Sequence, residues 1–337
     1  MKTNIFAFSE RGSALALRIS GYYENSEIHS VEKFAAPHGF TAHKSVCADM
    51  GELFHEAGLL IFIGACGIAV RDIAPHIKNK TTDPAVLVLD DAGTFVIPIL
   101  SGHIGGANRM ARDLAARLGA TPVITTATDV SGRFSVDAWA AEHGFAISSM
   151  KTAKDISAAI LAGDVPVTAE KPLPSALPVG LTAGETGALG IYIGIRTVSP
   201  FAETLRLIPR CVTLGIGCRR AVTAPAIRDT VTAALAGAGI DRRAVCGVAS
   251  IDVKRDEAGL LAFCEEWKLA PVFYSAETLA AVTGTFSDSD FVKRTVGVGN
   301  VCERAAMMGG GTLILSKYAE NGVTVAASVS DWRLSFA

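Results

Sequence analysis

The sequence predicts an α/β protein in which two α/β domains with largely parallel sheets are joined by a smaller α+β middle domain. Three observations support this prediction. Short apolar runs alternate with helix-like segments in the first part of the chain, a proline-rich passage follows, and the alternation starts again after Pro209. The predicted domains are residues 1–132, 133–209 and 210–337.

The elements of the first domain are predicted from apolar runs that end at glycines or turns. Gly64 ends the first run, Asp90–Gly93 forms a turn between the next two, and Gly119 stops a helix. In chain order, the predicted elements are the strands Leu59–Ile63, Val86–Leu89 and Phe95–Ile99, the helix Ala107–Leu118 and the strand Pro122–Thr125.

The middle and last domains are predicted in the same way. Thr223 is typical of a helix N-cap, and Pro225 suits the first turn that follows it. The middle domain is expected to hold the helices Val136–Glu142 and Asp155–Leu161 and the strands Gly190–Arg196 and Thr204–Ile208. The last domain is expected to hold the strands Val212–Ile216, Val245–Ile251, Val272–Tyr274 and Thr312–Leu315, with helices from Thr223 to Ala236, over Glu257–Trp267 and after Ser275.

Composition excludes several classes of protein. Half of the 337 residues are hydrophobic, which a disordered scaffold would not show, and the net charge of −2 leaves no footprint for nucleic acid. The N-terminal residues lack a signal-peptide pattern, and the longest apolar run, Ala57–Val70, is too short to span a membrane. We therefore expect a cytoplasmic protein. Seven cysteines without a Cys-x-x-Cys pair predict reduced, mostly buried thiols.

The segment Ser101–Asn108 is the most informative motif, because it places a histidine and an asparagine among three glycines between a predicted strand and a predicted helix. Backbone N–H groups of such a loop, together with the helix N-terminus, can stabilise an anion or an oxyanion. His103 is either a general base or a loop histidine that bonds a backbone carbonyl. Asn108 either polarises a substrate carbonyl or caps the helix. The spacing fits neither a Walker loop nor a dinucleotide fingerprint.

Two further segments of the first domain offer candidate site residues. Hydroxyls and a carboxylate follow a predicted strand in Thr125–Asp129, where Asp129 either orients a histidine or ends the strand in a turn. A glycine turn after Leu59–Ile63 leads to Arg71, which suits a substrate with several carboxylates. Cys66, in this turn, is expected to pack rather than to react.

In the last domain, a glycine-rich strand end places two arginines in Gly215–Arg220, of which one is expected to face a ligand and the other the solvent. A second glycine-rich segment, Gly297–Arg304, leads into a helix, and Gly309–Gly311 is expected to stop one. All seven histidines precede residue 150, so acid–base chemistry is expected in the first domain. No histidine spacing indicates a metal site.

These motifs together resemble a known family. The chain is similar to the N-terminal domain of the cobalamin-biosynthesis CbiG family over the first set of motifs, and to its C-terminal domain, which CobE shares, over the second. The first set is Gly67–Arg71, Asp83–Ala85, Ile97–Pro98, Ser101–Asn108 and Ala120–Asp129. The second set is Leu214–Arg220, Ala249–Asp252, Phe273–Ser275 and Gly297–Glu303.

The resemblance implies a cobalt-precorrin-5A hydrolase of anaerobic cobalamin synthesis, a hydrolase that acts on a carbon–carbon bond. It would open a δ-lactone and release acetaldehyde to give cobalt-precorrin-5B. The alternative is a carrier that binds a corrinoid or tetrapyrrole intermediate without catalysis. Implied partners are a small cobalt-corrinoid substrate, a second copy in a homodimer and, transiently, neighbouring enzymes of the pathway, with neither nucleic acid nor membrane. No cofactor is implied, because the substrate brings the cobalt.

The resemblance also implies a set of site residues. Catalysis is expected from His103, Asn108 and Asp129. Substrate binding is expected from Gly64, Gly67, Arg71, Gly102, Gly105, Gly106, Thr125, Thr126, Gly217, Cys218, Arg219, Arg220, Ser275 and Glu303.

Overall fold

The protein is represented by a computed structural model, which describes residues 1–79, 82–103, 105–126, 131–287, 294, 297 and 299–336. It divides into two compact units: Met1–His143 with Ser157–Gly163, and Gly144–Ile156 with Asp164–Ala337. The first unit holds one sheet and the second holds two, all of them mixed but mostly parallel. The predicted α/β class is confirmed, and the boundaries of the three domains stay a prediction.

The first unit is built on a seven-stranded sheet in the order β3-β2-β1-β4-β5-β6-β7, in which β5 and β6 alone pair antiparallel. Its strands are β1 Thr3–Ala7, β2 Ser26–Val31, β3 Thr41–His43, β4 Leu59–Ile63, β5 Ala85–Leu89, β6 Phe95–Leu100 and β7 Thr121–Pro122. Its helices are α1 Glu10–Ser20, α2 Glu32–His38, α3 Val46–Glu56, α4 Cys66–Ile73, α5 Ala107–Leu118 and α6 Val136–Glu142.

Helices cover both faces of this sheet, and the sequence reflects it. The three central strands β1, β4 and β5 are buried at every position, as expected where both faces are packed. Alternate residues of these strands pack on α1 and α5 on one side and on α3 and α4 on the other. This arrangement leaves the loops at the two edges of the sheet as the places where polar side chains can meet a ligand.

The second unit begins with a five-stranded sheet in the order β10-β9-β11-β12-β8, in which only β8 is antiparallel to its neighbour. The strands are β8 Phe145–Ile147, β9 Val165–Ala169, β10 Leu181–Ala183, β11 Leu189–Ile193 and β12 Glu203–Pro209. The helix α7, Met150–Ala162, belongs to this unit up to Ile156 and to the first unit from Ser157. The predicted proline-rich connection thus contains a strand. Pro166 is the second residue of this strand and precedes Val167, where the pairing with β11 begins.

The last sheet has the order β15-β14-β13-β17-β16. The strands β13, β14 and β15 pair parallel, β17 pairs antiparallel with β13, and β16 pairs antiparallel with β17. The strands are β13 Val212–Cys218, β14 Val245–Ile251, β15 Pro271–Tyr274, β16 Thr312–Glu320 and β17 Val323–Val329. The helices are α8 Ala224–Gly237, α9 Ala258–Glu266, α10 Ala276–Ala280 and α11 Cys302–Met307. The predicted caps are present, since Thr223 accepts from the N–H of Ala226 and Ser275 accepts from the N–H of Thr278.

Two sequence predictions about local features are wrong. The predicted strand Pro122–Thr125 is reduced to the pair Thr121–Pro122. The cysteines are not mostly buried, because Cys47, Cys66 and Cys246 are exposed, and the packing role predicted for Cys66 fails with them. In the part of the chain that the structure describes, all seven thiols are free. No helix there is long and apolar enough to cross a membrane.

Candidate functional site

The loop between β6 and α5 is compact and strained. Ser101 has a φ of 55°, a left-handed value that is unusual for a residue with a side chain. It is held there by two contacts: its Oγ donates to the carbonyl O of Asp83 at 2.9 Å, and its own carbonyl accepts from the N–H of Ala107 at 3.1 Å. A residue in this conformation stores about 1–3 kcal/mol, which the surrounding contacts must offset. Such strain is common at functional loops.

The three glycines are needed because the loop folds tightly on itself. A Cβ on Gly105 would overlap the Cβ of Ser101, and a Cβ on Gly102 would lie 2.8 Å from Oδ1 of Asn108. Gly106 has a φ of 78° and is the N-cap residue of α5. The predicted contribution of these glycines to substrate binding stays a prediction, but their structural role is clear: they let the loop close over Asn108.

Asn108 is not the cap of α5, so the capping alternative is wrong. It lies inside the first turn and is buried, and its Nδ2 donates to Oγ1 of Thr126 at 2.9 Å. Its backbone N–H donates to the carbonyl O of Gly102 at 2.9 Å. The side chain therefore joins the loop to the segment that follows β7, which also places Thr125 and Thr126 at the same edge of the sheet.

His103 is paired with an aspartate that the sequence analysis did not select. Its Nδ1 lies 3.2 Å from Oδ1 of Asp137, and both side chains are mostly buried. The same carboxylate oxygen accepts from Oγ of Ser135 and from the N–H of Ala138, each at 3.1 Å, so its position is fixed by the first turn of α6. A carboxylate at Nδ1 orients an imidazole and favours the tautomer whose Nε2 can accept a proton.

The orienting role had been predicted for Asp129, which lies outside the residues that the structure describes. Asp137 is 34 positions from His103 in the chain, so no local pattern connects the two. The available signal was Ser135-Val-Asp137 at the start of a predicted helix, where an acidic residue is ordinarily explained by the helix dipole alone.

Gly64, Gly67 and Arg71 are not brought to this loop. The N–H of Gly64 donates to the carbonyl at the end of β5, whereas Leu100 pairs with Val86 near the beginning of that strand. The two turns therefore lie at opposite edges of the sheet, because β6 runs antiparallel to β5. The guanidinium of Arg71 folds back over Gly67, with Nη1 3.7 Å from the position of a Cβ there. The fold therefore does not bring Gly64, Gly67 and Arg71 into one site with the loop of His103.

In the second unit, four predicted binding residues line one cavity. Gly217, Cys218, Arg219 and Arg220 continue from the end of β13 into a cavity of about 710 Å³. Burial raises the pKa of the Cys218 thiol, so this sulfur stays protonated and is not a nucleophile near neutral pH.

Ser275 and Glu303 do not line this cavity. Ser275 caps α10. Glu303 is fully buried, and its carboxylate oxygens accept four hydrogen bonds, from Nδ2 of Asn300, the N–H and Oγ of Ser287, and the N–H of Lys317. A carboxylate satisfied in this way holds its surroundings together, and the structure does not support the substrate contact predicted for it.

Comparison with known proteins gives matches in both units. Residues 49–129 match the family model described as Cobalamin synthesis G N-terminal, and residues 212–328 match the one described as Cobalamin synthesis G C-terminus. The chain is 35% identical over 297 residues to a cobalt-precorrin-5A hydrolase of Salmonella typhimurium, with 80% of this chain and 82% of that protein covered.

Two further relatives show where the similarity is distributed. A cobalt-precorrin-5A hydrolase of Priestia megaterium is 31% identical, and the match covers 96% of this chain and 94% of that protein. Protein CobE of a Sinorhizobium species is 32% identical over 117 residues, which cover 34% of this chain and 76% of that protein.

Proposed function

The chain belongs to the cobalamin synthesis G family, and from this premise we propose that it is a cobalt-precorrin-5A hydrolase. It opens the δ-lactone of its substrate with water and releases acetaldehyde, leaving cobalt-precorrin-5B. The observation that supports a catalytic role most directly is the pairing of His103 with Asp137 in a strained glycine loop. This arrangement suits proton transfer at Nε2 of an oriented imidazole.

In the first step, His103 removes a proton from a water molecule as the water adds to the lactone carbonyl. Asp137 holds the ring and stabilises the imidazolium that forms. The developing oxyanion is stabilised by N–H donors of the loop, with the Asn108 amide as the side-chain candidate. The acyl C–O bond then breaks, which leaves a carboxylate and an alcohol on the former meso carbon.

The second step uses the same histidine. Removal of the alcohol proton gives an alkoxide, whose electron pair forms the carbonyl of acetaldehyde while the carbon–carbon bond to the macrocycle breaks. The electron pair of that bond passes into the conjugated ring, which takes up a proton. One positioned base can serve both proton transfers, because the imidazolium formed in the first step gives its proton to the leaving alcohol oxygen and is neutral again before the second step. It is in this sense that we propose a hydrolase acting on a carbon–carbon bond.

Cobalt enters this scheme only as part of the substrate. Among the residues that the structure describes, no group of three or more histidine, cysteine or acidic side chains is arranged to hold a metal ion. The steps above need a base, an orienting carboxylate and hydrogen-bond donors, and each of these is assigned to a residue of this chain.

Release of acetaldehyde from the lactone substrate tests the proposal and separates it from the carrier alternative. We expect the wild-type protein to release one acetaldehyde per substrate, and His103→Ala to lose on the order of 10²–10⁴ in turnover with its fold intact. His38→Ala is a matched control, since His38 pairs with Glu10 and takes no part in the proposed reaction. A wild-type protein that binds the substrate without releasing acetaldehyde would be a carrier.

A further inference from the structure

The cavity at the end of β13 is large enough for part of a small-molecule ligand. Its volume of about 710 Å³ lies in the range of ordinary ligand sites, roughly 300–1,000 Å³. Four segments form it: the turn after β13, the turn after β14, the segment before α11, and the hairpin between β16 and β17. Apolar side chains contribute much of the wall, including Ile251, Val253, Val301 and Val323.

The cavity is strongly cationic, although the chain as a whole is weakly acidic. Arg219, Arg220, Lys254 and Lys317 line it, and Glu320 is the acidic residue among the lining residues that the structure describes. Since the net charge of the chain is −2, this positive charge is local. An apolar wall with several cations fits a hydrophobic ligand that carries carboxylates.

Lys254 is the most unusual of the four cations, because its side chain is buried. It is 8% exposed, and its Nζ donates to Oε2 of Glu257 at 3.0 Å. Among the described residues, Glu257 is the one side chain that accepts from this ammonium, which has three N–H donors. Because the residue lines the cavity, an acceptor that enters it can take up the remaining donors.

Glu257 couples this ammonium to the two arginines. Its second oxygen, Oε1, accepts from the N–H of Ala221 at 2.8 Å. Ala221 has a φ of 60°, so the carboxylate stabilises the left-handed turn that directly follows Arg219 and Arg220. The N–H of Arg219 is bound in turn by the carbonyl O of Gly322 at 2.9 Å. One partly buried carboxylate thus contacts the Lys254 ammonium and the turn that follows the two arginines.

Lys317 is positioned from the opposite wall. Its backbone N–H donates to Oε1 of Glu303 at 2.7 Å, which fixes this part of β16 against α11. The ammonium of Lys317 acts electrostatically on Cys302, another lining residue. Burial raises the pKa of that thiol to about 11, and the charge of Lys317 opposes the rise. The buried Glu303 therefore has a function for the cavity, since it sets the backbone that presents this lysine.

We propose that this cavity binds carboxylate groups of a hydrophobic polycarboxylate, and that Lys254 and Lys317 are binding residues for them. Glu257 and Glu303 are positioning residues that hold the cations without contacting the ligand. The identity of the ligand as the cobalt-corrinoid substrate rests on the proposed function, whereas the class of ligand follows from the cavity itself.

Binding of cobyrinic acid, a cobalt corrinoid with free carboxylates and no lactone, tests this proposal in the full-length protein. Titration calorimetry should show Lys254→Met binding about 10–100-fold more weakly than wild type, which is the effect of losing one buried charge-assisted hydrogen bond. Lys317→Gln should bind about 5–10-fold more weakly. Both variants should show a smaller dependence of affinity on salt.

Arg255→Gln is the matched control, because Arg255 is an exposed cation in the same turn and is not among the lining residues. It should bind the probe within about twofold of wild type. Circular dichroism and thermal unfolding establish that each variant is folded. If Lys254→Met does not fold, Lys317→Gln decides the result alone, since its backbone contact to Glu303 is kept. Folded variants that bind as tightly as Arg255→Gln would overturn the proposal.

The probe separates this inference from the proposed function. Because cobyrinic acid cannot be hydrolysed at a lactone, its affinity does not depend on His103. A protein that binds the probe in the predicted pattern but releases no acetaldehyde from the lactone substrate would refute the hydrolase and leave the cavity assignment in place. If the wild-type protein releases acetaldehyde while both lysine variants bind the probe normally, the cavity assignment is refuted and the hydrolase is supported.

Discussion

The buried imidazole of His29 is expected to limit the acid stability of the first unit. Its side chain is stacked on Phe6 with a centroid distance of 5.1 Å, and its Nδ1 lies 3.0 Å from Nε2 of His43, whose own Nδ1 lies 2.7 Å from Asp49. If His43 donates to Asp49, its Nε2 accepts the proton of His29. Nε2 of His29 is then a buried acceptor, and among the described residues it has no hydrogen-bond partner. This chain of bonds suits a neutral His29.

The size of the effect follows from the pKa of His29. Burial lowers this pKa from its ordinary value of 6.5 to about 4; Glu27 opposes the shift, and His43 and Lys2 add to it. The unfolded chain therefore takes up a proton between pH 6.5 and 4 that the folded chain does not, so the free energy of unfolding is full above pH 6.5 and falls as the pH drops toward 4. At about 1.4 kcal/mol per pKa unit, the total loss is about 3 kcal/mol.

Urea denaturation from pH 7.5 to 4 in wild type and His29→Asn measures this contribution. Asparagine keeps a donor near the position of Nδ1 and does not titrate, so the variant should lose about 3 kcal/mol less than wild type across this range. His55→Ala serves as a control for the loss of an exposed histidine of the same unit. Equal pH dependence in wild type and His29→Asn would refute the argument.

Three other substitutions test the site and the fold. Asp137→Asn should lower turnover by about 10²–10⁴ with little change in KM, because the amide favours the wrong imidazole tautomer. The acidic limb of the profile of turnover against pH should also move. An unchanged profile would contradict the orienting role. Asn108→Ala should lower turnover by roughly 10²–10³ if its amide stabilises the oxyanion, and a loss of thermal stability at normal turnover would assign it to the fold instead. Gly215→Ala should prevent folding of the second unit, because a Cβ there would overlap the carbonyl O of Cys302 in α11; a soluble variant with the wild-type unfolding midpoint would contradict this packing.

Several features of the protein were determined by the sequence alone, because they depend on neighbouring residues. The helix Ala107–Leu118 and its left-handed glycine stop are as predicted, and so are the strand Leu59–Ile63 and the cap at Thr223. Apolar spacing, caps and glycine stops act over one or two turns of chain, so a local pattern is sufficient to predict them. The family motifs are local in the same sense.

The sequence did not reveal the strands β2 and β3, and the reason is their position. β2 and β3 lie toward one side of the sheet and carry polar residues such as His29 and His43, so no apolar run marks them. The last strand, β17, is buried but consists partly of small residues, and it becomes a strand by pairing antiparallel with both β13 and β16. Pairing of this kind depends on distant segments.

Only the tertiary structure decided which candidate residues share a site. The antiparallel direction of β6 separates Gly64 from the loop of His103, although both follow apolar strands in the sequence. His103 pairs with Asp137. Lys254 pairs with Glu257, which also accepts a hydrogen bond from the turn after Arg220. The sequence gives the chemical type of each side chain. The distance between two side chains depends on strand direction and helix packing, and long-range contacts determine both.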